Sequence, residues 1–283
     1  VDAVTYICEN FGIELRYDDA SGPVRPTKDL KDLHEAVLDY AKKELFTETG
    51  KRALDYLYKR GFDKAVIEQF DLGYLPPQVS TGRFEKHFSP TVMKESGIFF
   101  DTQYGTRCFF NDRILFPIHN RSGSCIGFSG RSMNPEEKAK YKNSPETPIF
   151  SKRRELYNLH RAKDIMAESK LCYITEGYFD VMRMVAAGYK ETVAIMGTAF
   201  TKEQVNQLKR YCEEYNLILD GDQAGQKAMR DSRTVAIESN IYPNVIFLPE
   251  GDDPDTYILN NGKEAFDKIL ATKEDLLSYT IKS

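Results

Sequence analysis

LCYITEGYFDVMRMVAAG (171–188) and NLILDGDQAGQKA (216–228) decide how this chain folds. Each opens on a short apolar run typical of a buried strand, breaks at a glycine and continues with helical periodicity. Working outward, the pattern predicts a helix over 156–168, strand 171–175, helix 178–187, strand 192–196 and helix 201–214, then strand 216–219, helix 223–239 and strand 244–248. Such alternation predicts an α/β fold with a largely parallel sheet flanked by helices. A last helical stretch, EAFDKIL (264–270), follows.

Acidic residues sit where these strands end. Glu176 follows the first run, Asp220 and Asp222 follow the second, and Asp253 and Asp255 lie in EGDDPDTY (250–257) just past NVIFL (244–248). Open α/β sheets build their sites at the carboxyl ends of strands. Hard divalent cations such as Mg²⁺ take oxygen ligands and bridge to phosphates. Five such carboxylates therefore point to metal-dependent phosphate chemistry. Taken singly, each cluster has a plainer reading: Asp222 as a helix cap, Glu176 as a cap or solvated residue, GDDPDTY as a turn. The case rests on their combination in one sheet.

Composition narrows the class. The chain has 283 residues, 41% hydrophobic and 29% charged, with a formal charge of −4. That is ordinary globular composition, long enough for two domains, and it is not a basic nucleic-acid coat, although local patches matter more than the sum. No apolar run approaches the ~20 residues a membrane helix needs, and no leader pattern is seen. The five cysteines (Cys8, Cys108, Cys125, Cys172 and Cys212) are scattered and odd in number, which supports neither a disulfide framework nor a CxxC zinc site. A reduced, cytoplasmic setting without membrane contact is the expectation, and a chain starting at Val1 reads as a piece of something longer. The four histidines are scattered without ligand spacing, and neither a GxSxG nor a P-loop signature occurs.

Upstream of 156 the patterns differ. Residues 1–15 carry a short helical pattern, YDDASGPVRPT (17–27) reads as a linker, and 28–70 is helical, with Gly61 placed to end the second of its helices. From 71 to 150 short apolar runs alternate with turn signals, as antiparallel strands do. The stretch from Arg131 to Phe150 carries Pro135, Pro145 and Pro148 without periodicity and reads as a long ordered loop. It holds a cationic counterpart to the carboxylates, Arg131 and Lys140, with Tyr141 able to stack on a base. Arg offers a planar fork to phosphate and Lys a compact charge. Arg60, in the last turn of its helix, has the plainer reading of a dipole partner.

Taken together and in order, these segments resemble the catalytic core of bacterial replicative primases of the DnaG type. The three acidic clusters resemble the TOPRIM signature. YLYKRGFDKAVIEQFDLGYLPP (56–77), DRILFPIHNRSGSCIGFSGR (112–131), KYKNSPETPIF (140–150) and RRELYNLHRA (153–162) resemble the primase-specific blocks upstream. The resemblance implies DNA-templated synthesis of short RNA primers from ribonucleoside triphosphates. It implies Glu176 as central catalytic acid with Asp220 and Asp222, and Mg²⁺ or Mn²⁺ held by Glu176, Asp220, Asp222, Asp253 and Asp255. Arg60, Arg131, Lys140, Tyr141, Asn143 and Asp180 would contact nucleotide or template.

It also implies a division of the chain. Residues 1–27 would be a residual helix and linker following a zinc domain, 28–155 an N-terminal α+β subdomain, 156–260 the TOPRIM domain and 261–283 the start of a C-terminal helical segment. Zinc would belong only to the missing N-terminal domain, since none of the cysteines here can form a zinc ribbon. The partners implied are single-stranded DNA template and, through a C-terminal domain absent here, the replicative helicase; the core itself is expected to be a monomer. Gln226 stands where the family often has a basic residue. Two alternatives remain open: a TOPRIM nuclease or topoisomerase-like enzyme, and a non-catalytic nucleotide-binding module.

Overall fold

A computed structural model describes residues 27–197, 200–220 and 223–282. The helix and linker expected before residue 27, and Asp222, lie outside the described residues. Helix α1 (Thr27–Leu45) buries Leu30, Leu33, Val37, Leu38, Ala41 and Leu45, an apolar stripe at three- and four-residue spacing. Helices α2 (Lys51–Lys59) and α3 (Lys64–Gln69) follow, then strand β1 (Gly73–Leu75) and the short helices α4 (Gly82–Glu85) and α5 (Pro90–Glu95). Next come a hairpin, β2 (Phe99–Thr102) with β3 (Gly105–Cys108), and strands β4 (Arg113–His119), β5 (Cys125–Ser132) and β6 (Tyr141–Asn143).

Two compact units result: one from the described residues up to Lys51 with Gly73–Phe150, the other from Arg52–Leu72 with Ser151 onward. In the first unit, β1, β4, β5 and β6 form an antiparallel sheet in the order β1-β4-β5-β6. Helix α1 packs on it so closely that a Cβ at Gly73 would collide with Ala41. The His34 ring stacks on Phe128 at 5.6 Å between centroids. The long loop expected from Arg131 to Phe150 is shorter than the sequence suggests. β5 continues through Ser132, and Tyr141–Asn143 pairs with Ser129–Arg131 as an edge strand. A three-residue polar strand has no apolar period to betray it; what fixes it is the hydrogen-bonding demand of the β5 backbone.

The second unit contains helix α6 (Leu159–Ser169), strand β7 (Leu171–Thr175), helix α7 (Tyr178–Ala186), strand β8 (Thr192–Ala194), helix α8 (Lys202–Leu208) and strand β9 (Glu214–Leu219). Helix α9 (Gln223–Ser239), strand β10 (Asn244–Phe247), helix α10 (Pro254–Leu270), strand β11 (Glu274–Asp275) and helix α11 (Leu276–Lys282) complete it. Helix α10 is interrupted at Gly262, whose φ is +78°. The sheet runs β11-β10-β9-β7-β8, with parallel pairing from β10 to β8 and an antiparallel β11 at the edge.

Alternate strand residues face opposite layers, which is why both faces must be apolar. Cys172, Ile174, Leu217 and Val245 pack with residues of α6, α8 and α9, while Ile218 and Ile246 pack with Met184 of α7 and with Ile258 and Phe266 of α10. Each such buried aliphatic or aromatic side chain contributes roughly 1.5–3 kcal/mol. Helix α8 stops at Leu208, short of the predicted 214. The backbone N–H groups of Glu213 and Glu214 donate to the Lys170 carbonyl at 2.9 and 3.0 Å, drawing the chain into β9 early. The α2–α3 pair, which the sequence reading kept inside 28–155, belongs to this unit because its turn packs on α7. No helix among the described residues is long and apolar enough to cross a membrane.

Candidate active site

Strand order determines where the carboxylates meet. From β7 the chain crosses through α7 to β8 on one side, then returns through α8 to β9 on the other side of β7. The sheet therefore reverses direction between β7 and β9, and that reversal opens a crevice beyond the strand ends. Glu176 is the residue after β7, and Asp220 is the residue after β9. The parallel register Ile174↔Leu217 sets these two ends side by side.

Asp180 lies at the start of α7 and is 6% exposed. Its Oδ2 accepts from the Gly177 N–H at 2.9 Å and its Oδ1 from the Asp255 N–H at 3.3 Å. Burial pushes its carboxyl well above the usual carboxylate range, and the charges of Asp253, Asp220 and Asp255 push it the same way. Asp253 caps α10: its Oδ1 accepts from the Thr256 N–H and hydroxyl, both at 2.7 Å. GDDPDTY, whose plainer reading is a turn, thus also supplies a helix cap.

Asp255 is 2% exposed and held by two arginines. Its Oδ1 accepts from Arg183 Nε at 2.8 Å, and its Oδ2 accepts from Arg60 Nε at 3.1 Å and from Arg60 Nη2. Arg60 also donates Nη1 to the Tyr56 hydroxyl at 2.7 Å and lies over the Phe179 ring at 4.2 Å. Burial alone would lower the Arg60 pKa, but the bonds to Tyr56 and Asp255 outweigh it and raise the value above the usual guanidinium range. The guanidinium expected to meet nucleotide or template is engaged inside the unit. Arg183 was not singled out in the sequence, yet its signal was there: one cation in the apolar helical run YFDVMRMVA requires a buried partner.

Could these side chains hold a divalent cation? The donor set is all oxygen, and the like-charge crowding around Asp180 is what a bound dication relieves. That chemistry fits Mg²⁺ or Mn²⁺. Among the described residues no three His, Cys, Asp or Glu are already gathered at ligand spacing. Asp222, beside Asp220 in sequence, lies outside the described residues.

Arg131 and Lys140 belong to the first unit. The β5–β6 register pairs Arg131 with Tyr141 and Ser129 with Asn143, so Arg131, Tyr141 and Asn143 share one face of the sheet. The Tyr141 ring leans on Phe116 at 6.2 Å. Lys140 is exposed, one residue before β6. Its carbonyl accepts from the Ser132 N–H at 2.8 Å and from buried Arg113, a second cation the sequence reading passed over. Arg131, Tyr141 and Asn143 thus set a planar fork, an aromatic ring and an amide on one face of the sheet, with exposed Lys140 next to them in sequence.

Comparison with known proteins extends this picture. Residues 40–163 match the family described as DNA primase catalytic core, N-terminal domain, and residues 173–258 match the Toprim-like family. The DNA primase of Lactococcus lactis is 35% identical over 278 residues, covering 96% of this chain and 43% of the relative. That of Aquifex aeolicus is 31% identical, covering 88% of this chain and 50% of the relative. The chain spans about half the length of these curated relatives. Among solved structures, the DnaG primase catalytic domain bound to single-stranded DNA superposes with a TM-score of 0.83 at 30% identity, over 90% of this chain and 82% of that one. The RNA polymerase domain of Mycobacterium tuberculosis primase DnaG gives 0.83 at 27% identity, over 91% and 87%.

Proposed function

Because the chain belongs to the family of DnaG-type primase catalytic cores with a Toprim domain, we propose that it joins ribonucleoside triphosphates into short RNA primers on a DNA template. The observation that carries this reading is the pairing of Glu176 and Asp220 at neighbouring strand ends on either side of the sheet's reversal. Carboxylates fixed there by the sheet backbone need no reorganisation when charge develops on a phosphoryl group.

Glu176 and Asp220, with Asp222 and Asp253, would hold Mg²⁺ or Mn²⁺. The cation, when bound, neutralises phosphoryl oxygens and lowers the pKa of an attacking hydroxyl. Asp180, beside them, ties the end of β7 to the start of α10 by accepting from the N–H groups of Gly177 and Asp255. On the other unit Arg131, Lys140, Tyr141 and Asn143 supply the contacts a nucleotide or single strand requires: bidentate phosphate binding, a point charge, and a ring on which any base can stack. This strip explains how an acidic chain can bind polyanions. The solved DnaG domain bound to single-stranded DNA supports the same reading for the template.

Glu176→Gln and Asp220→Asn test it. Each removes one charge with little change of shape, so template-dependent incorporation of labelled ribonucleotides should fall at least about 100-fold, while the melting temperature stays within a few degrees. Wild-type incorporation in either variant refutes the assignment. Cleavage of labelled single-stranded DNA without extension would instead favour a Toprim nuclease.

A further inference from the structure

Helix α7 carries two charged residues, Asp180 and Arg183, and everything from Tyr178 to Val185 is buried. A guanidinium in such a place is retained only where its charge and its donors are matched. Arg183 meets that condition: Nε donates to Asp255 Oδ1 at 2.8 Å, Nη2 donates to the Arg60 carbonyl, and the plane lies over Phe62 at 4.3 Å. The turn carrying that carbonyl needs Gly61. Its φ is +79°, and a Cβ there would stand 3.2 Å from Leu259 and 3.5 Å from Arg183.

Asp255 is thus enclosed by three N–H donors from two cations, out of about four acceptor sites that a carboxylate offers. Its remaining contact runs the other way, from its backbone N–H to Asp180 Oδ1. Asp180 in turn accepts from the N–H of Gly177, the residue after Glu176. A continuous chain of bonds therefore leads from Arg183 and Arg60 through Asp255 to Asp180 and the end of β7.

We infer that Arg183, together with Arg60, is a positioning residue for the acidic cluster, acting through Asp255, whose carboxylate serves as the pivot of this chain of bonds and not as a metal ligand. The inference rests on the metal-site reading above and assigns roles within it.

The sign of one effect tests it. Removing a cation from the neighbourhood of a dication site strengthens binding if charge alone matters, and it frees Asp255 to coordinate if Asp255 is a ligand. Loss of a positioning residue does the opposite. We expect Arg183→Met to weaken Mn²⁺ binding about 10- to 100-fold, read from the electron paramagnetic resonance signal of free Mn²⁺. Asp255→Asn should weaken it similarly, and the double variant should add little to either single change, because both act along one path. Arg183→Lys keeps the charge without the fork and should also bind Mn²⁺ more weakly; it stands in if the methionine variant fails to fold. Unchanged or tighter Mn²⁺ binding in a folded Arg183 variant, with Asp220→Asn weakened, overturns the positioning role alone. Unchanged binding in Asp220→Asn overturns the metal-site reading beneath it.

Discussion

Arg113 offers the sharpest test of how the cationic strip is built. Its side chain is 2% exposed, at the head of β4. Nη1 donates to the carbonyls of Gly130 at 2.9 Å and of Ala139 and Lys140 at 3.3 Å, and Nη2 lies 3.3 Å from the Glu137 carboxylate. One buried fork thus ties residues 137–140, which lack regular structure and end on Lys140, to the sheet immediately before Tyr141. Arg113→Met keeps most of the apolar stem and deletes every donor. A hydrogen bond involving a charged group contributes about 1.5–3 kcal/mol. Three acceptors share the two Nη1 hydrogens, and losing the guanidinium also removes its desolvation penalty. Glu137 keeps Lys142 at 3.6 Å and partial solvent access, so it is not stranded. The net loss should be roughly 2–4 kcal/mol. For a unit of this size that corresponds to roughly 4–16 °C in melting temperature. With the strip released, single-stranded DNA should bind about tenfold more weakly by fluorescence anisotropy and the KM for ribonucleotides should rise, while kcat changes less. Loss below about 1 kcal/mol with unchanged DNA affinity would refute the claim that Arg113 organises this strip. Arg113→Lys, which cannot span the same acceptors, should resemble the methionine variant.

Two further predictions concern the supports of the fold and the site. His34 is fully buried with one bond, between Nδ1 and the Leu30 carbonyl at 2.7 Å, and burial lowers its pKa from 6.5 to about 4 although that bond opposes the shift. A depressed value means the folded state stays neutral while the unfolded chain takes up a proton. The stabilisation is therefore intact above pH 6.5 and fades as pH falls from 6.5 to about 4, by about 3 kcal/mol. Urea unfolding should show about 2 kcal/mol of this loss between pH 7.5 and pH 5, and His34→Phe should flatten it; an equal loss in the variant would exclude His34 as its source. Asp253 joins two roles that substitution can part. Asp253→Ala should destabilise α10 by about 1 kcal/mol, whereas Asp253→Asn keeps the cap and should lose stability by only a few tenths. Equal destabilisation in both would mean the charge, not the cap, holds this helix start.

Much of this architecture is legible in the linear pattern because its cause is local. The apolar runs at 171–175 and 244–248 are nearly the observed β7 and β10, since strands buried on both faces must be continuously apolar. Helix α1 declares itself through its stripe, and the carboxylates at 176, 220 and 253 stand where strand or loop gives way to helix. Where pattern misled, the deciding partner was remote. YKN at 141–143 is polar and became a strand only through its register with β5. The run from 201 to 214 reads as one helix until the Lys170 carbonyl captures its last residues.

The sequence alone determined that acidic residues end the strands of a parallel sheet and that primase-like blocks precede them, because periodicity and residue chemistry are properties of neighbours. Only the tertiary structure decided that β9 lies beside β7 and not beyond β8, which is what sets Glu176 against Asp220. It alone decided that Arg60, a plain helix-end cation in the sequence, closes on a carboxylate 195 residues away. Crossover connections of similar length can run to either side of a strand, and a buried charge takes whichever partner the packing brings within reach. Neither outcome is encoded in any local window of the chain.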